Sequence, residues 1–116
     1  MADIAVQTLS WSSDSPVLTV TTPTNTQVIS DVDKNTTIVV FNDTAGNVAL
    51  VIKNQVQDKW SSVVTTQDAA VTIATKTYRA FSGPFLCNHF RDSDEDVTLT
   101  FDIVVDVEVM AFKAGP

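Results

Sequence analysis

Positions 96–102 read "DVTLTFD", and this stretch constrains the fold more than any other. Val97, Leu99 and Phe101 alternate with Thr98 and Thr100. Successive side chains of an extended chain point to opposite faces, so the pattern describes a strand with one apolar and one hydroxyl face. The same period of two recurs over 106–113, where Val107, Val109 and Ala111 stand opposite Glu108, Met110 and Phe112. Further strand-like runs cover 4–9, 17–22, 27–30, 36–41, 47–53, 63–66, 69–74 and 77–82. No window keeps apolar residues at i, i+3, i+4 and i+7 over three turns, so no long helix is predicted. Val, Ile and Thr make up about a third of the chain, and these β-branched types suit a pleated, half-buried surface.

Turn chemistry separates the runs. "NDTAGN" at 42–47 supplies residues that tolerate tight backbone conformations, and is expected to close a hairpin between 36–41 and 47–53. Val48, Leu50 and Ile52 share one face of the latter and Ala49 and Val51 the other, which predicts a central strand covered on both sides. The 63–66 and 69–74 runs are expected to pair around Gln67-Asp68. At Gly83-Pro84 the chain is expected to leave its sheet, because proline donates no ladder hydrogen bond. The reading is an all-β, single-domain antiparallel β-sandwich of jelly-roll-like type spanning 1–116, with eight or nine short strands and no internal repeat. Residues 1–15 are either an extended N-terminal arm or the first strand of the sandwich.

A chain of 116 residues is long enough to bury one core without a disulfide staple, and its single cysteine, Cys87, allows no intramolecular bridge. The N-terminus shows no cationic start and no apolar signal segment, so the mature chain is expected to begin near Met1. No run approaches the length of a membrane span. A formal charge of −7 repels phosphate backbones, so neither nucleic acid nor membrane is expected as a partner.

Cys87 and His89 are two residues apart, which on a strand places them on one face, as a thiol–imidazole pair requires. Cys87 nevertheless sits in a Phe-rich segment, and a free cysteine is most often a buried packing residue. "RDSDED" at 91–96 gathers Asp92, Asp94, Glu95 and Asp96 but lacks the glycine and distal bidentate acid of a helix-flanked calcium loop. It reads as a solvated loop. Trp11, Trp60 and Tyr78 are candidates for a sugar-stacking platform, against the ordinary use of aromatics as core or interface anchors. No phosphate loop, nucleophile elbow or paired-carboxylate motif is present. The chain is therefore expected to be neither an enzyme nor a cofactor or metal protein.

Three segments, "FNDTAGNVALVIKN" (41–54), "VTIATKTYRAFSGPF" (71–85) and "FRDSDEDVTLTF" (90–101), followed by "VEVMAFKAGP", resemble a pattern found in small structural proteins of tailed phages. The resemblance covers about residues 36–114. It departs at "VTIATKTYR", where the related proteins often carry a Pro-Ala-Gly turn, and it does not reach the first 35 residues. It implies an all-β virion component, a capsid decoration or cement protein on the outer capsid surface, whose partners are the major capsid protein and further copies of itself, trimer before dimer. Neck or tail virion components and carbohydrate-binding modules are the alternatives. Gly83, Pro84 and Phe85 are read as a structural turn, with Phe85 joining Phe81 and Phe90 at the end of the core. Ile4, Val6, Leu9 and Trp11 are read as capsid or subunit contacts, with β-augmentation by the arm as the mode.

Overall fold

The computed structural model describes residues 3–9, 18–54 and 68–114. Its strands are β1 (Ile4–Ala5), β2 (Gln7–Leu9), β3 (Thr26–Ser30), β4 (Thr36–Asn42), β5 (Val48–Ile52), β6 (Ala69–Ile73), β7 (Thr77–Ser82), β8 (Val97–Phe101) and β9 (Val107–Ala114), with one helix, α1 (Gly83–His89). They form a five-stranded sheet, β1-β3-β8-β5-β6, and a four-stranded sheet, β2-β9-β4-β7. The two inner faces meet in one apolar core. Ile29, Val97, Leu99, Leu50, Ile52 and Ile73 come from the first sheet, and Ile38, Val40, Val107 and Val109 from the second, all fully buried. Each such side chain contributes about 1.5–3 kcal/mol when withdrawn from water.

Most neighbouring strands are antiparallel, but the two N-terminal strands are not. β1 runs parallel to β3, and β2 runs parallel to β9, so both sheets are mixed. Thr21 adds an antiparallel bridge to β9 through paired backbone bonds with Val109 of 2.9 and 2.8 Å. If this segment counts as the first strand and β9 as the eighth, the four-stranded sheet runs 1-8-3-6 and the other runs 2-7-4-5 beyond β1. That is the strand order of a jelly roll, in which the chain repeatedly changes sheet.

Several expectations need correction. The 36–41 and 47–53 runs do not form a hairpin, because β4 and β5 belong to different sheets. Asn42 holds the crossing: fully buried, it donates from Nδ2 to the carbonyls of Gly46 (2.8 Å) and Ile73 (2.9 Å), and its Oδ1 accepts from the backbone N–H of Thr44 (2.9 Å). Its side chain takes over backbone pairing that a hairpin would otherwise supply. β5 is central, between β8 and β6, but only one of its faces is covered: Val48, Leu50 and Ile52 are buried, whereas Ala49 is exposed and Val51 half-buried. The 4–9 run divides at Val6, whose two sides enter different sheets. In the 17–22 run, Thr21 alone of the described residues makes a bridge. Residues 63–66 lie outside the described residues, and β6 pairs with β5.

Gly83, Pro84 and Phe85 form the first turn of α1 rather than a plain turn. Pro84 fits there because the first N–H groups of a helix have no internal partner and its fixed φ is already helical. Gly83 is required by space, not by backbone conformation. A Cβ at this position would stand 2.3 Å from the backbone carbon and oxygen of Lys34 and 2.5 Å from the carbonyl oxygen of Asp33. α1 ends where the N–H of Phe90 returns to the carbonyl of Leu86 at 2.9 Å. Leu86 is fully buried, and Phe85 stacks between Phe81 (6.3 Å between centroids) and Phe90 (5.0 Å). Phe85 itself remains 43% exposed, so it covers the end of the core from outside rather than filling it.

Candidate interaction surface

Cross-strand partners share a face, so the register defines what each sheet presents to solvent. On the five-stranded sheet the outward positions are Ala5, Thr26, Val28, Ser30, Thr98, Thr100, Ala49, Val51, Ala70 and Thr72. This surface is small-residued and rich in hydroxyls. The four-stranded sheet differs. One row aligns Gln7, Phe112, Thr37 and Ser82; the next aligns Met110, Val39 and Ala80; the third aligns Glu108, Phe41 and Tyr78. Leu9 lies on the same outward side, two residues beyond Gln7. Phe112, Met110, Val39 and Phe41 are half-buried, and Tyr78 is 64% exposed.

Among the described residues, Glu108 is the only charged residue at an outward strand position of either sheet. Arg79 on β7 and Lys113 on β9 share the core-side register of their sheet, aligned with Val40 and Thr36, and the carboxylates other than Glu108 lie outside the strands. Asp31 and Asp33 lie between β3 and β4, Asp43 follows β4, Asp92, Asp94, Glu95 and Asp96 precede β8, and Asp102 and Asp106 lie between β8 and β9. Asp31, Lys76, Glu95 and Asp106 all adopt positive φ, between 59° and 67°, as tight connections often require.

The acidic run before β8 is organised by its own backbone. The Oδ1 of Asp92 accepts from the N–H groups of Asp94 (2.8 Å) and Asp96 (2.9 Å). Partial burial pushes the Asp96 carboxyl above its ordinary value, and the negative charges of Asp92, Asp3 and Asp94 add to the effect. Asp33 moves the other way: the backbone N–H of Asn35 holds it below the usual range, assisted by Lys113 at 3.3 Å. Among the described residues no group of three or more His, Cys, Asp or Glu side chains is disposed to hold a metal ion.

The remaining residues singled out by sequence fall as follows. Ile4 is 7% exposed and belongs to the chain's own core, and Val6 packs against that core. Partner burial therefore does not describe Ile4, because β1 completes the edge of its own sheet. Leu9 is half-buried on the outward side of β2, while Trp11 and Trp60 lie outside the described residues. Cys87 is half-buried in α1. Position 89 is the last residue of the same helix, so the period of two that would put the pair on one face of a strand does not apply.

Sequence reasoning passed over Val39, Phe41, Met110 and Phe112 as a surface. The signal lay in "TTIVVF" and "VEVMAF", where both alternating sets are largely apolar; that marks a strand with two covered faces. No family model, curated protein or solved structure matches this chain.

Proposed function

We propose that the chain is a non-catalytic structural protein of a tailed-phage virion, a capsid decoration protein that binds the outer surface of the head and stabilises it. One observation carries the reading: among the described residues, Glu108 is the one charge at an outward strand position of either sheet, while the other carboxylates sit outside the strands. Charged, mixed surfaces keep a free domain apart from its neighbours. A slab with neutral faces and an acidic rim is suited to lie against protein while its rim stays hydrated. The sequence resemblance over residues 36–114 supplies the virion context.

Such a protein works through repetition. A shell offers the same site many times, and a module that touches neighbouring subunits gains from effective concentration as well as from each contact. The partner is the major capsid protein. Mixing the purified chain with undecorated heads is expected to give saturable binding at fixed stoichiometry and to raise the temperature at which the heads open. Heads that sediment without the chain, and open at an unchanged temperature, would count decisively against the proposal. A neck or tail component would instead form closed rings of fixed number without heads.

A further inference from the structure

The four-stranded sheet presents an apolar centre between polar ends. Met110, Val39 and Ala80 fill the middle row; Gln7, Thr37 and Ser82 flank Phe112 on one side, and Glu108 lies beside Phe41 and Tyr78 on the other. An apolar centre inside a polar rim is the anatomy of a protein–protein contact. We propose that a second copy of this chain occupies the face, the two sandwiches stacking four-stranded sheet on four-stranded sheet about a two-fold axis.

Charge argues for this occupant. At −7, two copies repel through most approaches, and contact through the connections brings carboxylates together. This face carries only Glu108, in an end row where it remains at the rim. A cationic partner would be drawn to the acidic connections instead, since the face has little to attract it. What the face selects is a flat, apolar, pleated surface, and sheets supply that for one another at a spacing of about 10 Å. The hydroxyl-rich outer face of the five-stranded sheet is a poorer counterpart, with no aromatic or Met side chain among its outward residues.

The area sets the strength. The strands of this sheet run 3, 8, 7 and 6 residues, and at about 4.8 Å between strands and about 3.3 Å per residue they give a footprint of roughly 380 Å² per copy. Twice that falls below the roughly 1,000 Å² at which stable specific interfaces begin, in the range of weak, transient contacts. The dimer is accordingly weak and reversible, populated only at high concentration.

Sedimentation velocity on the full chain, from low micromolar to millimolar concentration, tests the proposal without heads present, so its outcome is independent of the virion reading. The expected result is a monomer–dimer equilibrium that Val39→Glu or Met110→Glu weakens at least about tenfold, because an unpaired carboxylate is costly to bury. Thr100→Glu, on the opposite sheet, is expected to leave it unchanged, and circular dichroism with thermal melting identifies any variant that fails to fold. A wild-type chain that stays monomeric throughout overturns the proposal. So does a dimer that tolerates both face substitutions when folded, or that dissolves with Thr100→Glu. A monomer that binds heads through Val39 would assign the face to the shell and also overturn it.

Discussion

Asn42 has a structural importance out of proportion to its size. It is the last residue of β4, it has no exposure, and it satisfies backbone groups on the connection to β5 and on Ile73 of β6. Asn42→Ala leaves the Ile73 carbonyl without this donor in the core, which costs about 1–3 kcal/mol for an unsatisfied buried group. The expected outcome is a loss of that size in urea denaturation, with Thr44→Ala losing less because Thr44 is only half-buried. Asp96 is the residue-scale test of electrostatics. Its folded-state carboxyl is raised by burial and by neighbouring Asp92, Asp3 and Asp94. The folded chain thus holds a proton through a window above the ordinary carboxylate value in which the unfolded chain has released it. Stability falls as pH rises across that window. Asp96→Asn is expected to stabilise at neutral pH, by less than about 1 kcal/mol given solvent screening, and to lose its advantage in acid. A denaturation series from pH 3 to pH 7 distinguishes this from the opposite trend expected of Asp33→Asn. The Asp33 carboxyl is lowered by Asn35 and Lys113, so its contribution is present at neutral pH and lost as pH falls.

Elements are held by contacts that local pattern does not encode. α1 begins against the β3–β4 connection, where the space beside Gly83 is taken by the backbone of Asp33 and Lys34. Gly83→Ala is expected to destabilise by about 1–3 kcal/mol through overpacking, because backbone, unlike a flexible side chain, cannot swing aside. Chemical denaturation reads the loss, and a neutral result would mean that α1 is free to shift. The same element marks the limit of reading from sequence. "VTLTF" and the β9 run were legible because each alternates and one face is buried, and their burial patterns follow that alternation. "GPFLCNH" was not legible as a helix, since seven residues are too few to show a period of 3.6, and its stability comes from Leu86 and the three phenylalanines. Pairing was also hidden. The β4–β5 connection looks like a hairpin loop in composition, but Asn42 holds it across the core. Of the residues proposed as contacts, Leu9 is on an outward face and Ile4 is not, a difference that turns on the change of sheet at Val6.

At the scale of the molecule, topology governs folding. β4 pairs with β9 from Thr36↔Lys113 to Asn42↔Val107, and Gln7 aligns with Phe112, so the chain ends must meet before the four-stranded sheet is complete. Loop-closure entropy precedes the reward of pairing, and domains of this kind fold in milliseconds to seconds. Stopped-flow refolding is expected to show a main phase in that range, and a sub-millisecond main phase would contradict the topology.

The sequence by itself determined where most of the strands lie, which side of most of them is apolar, and that no long helix forms among the described residues, because alternation and β-branching act within a few residues. Only the tertiary structure decided which strands share a sheet, that both N-terminal strands lie parallel to their neighbours, and that "GPF" opens a helix. It also decided that the second apolar set on β4 and β9 faces outward. Each of these depends on which distant segment covers a given side chain, and alternation is indifferent to that.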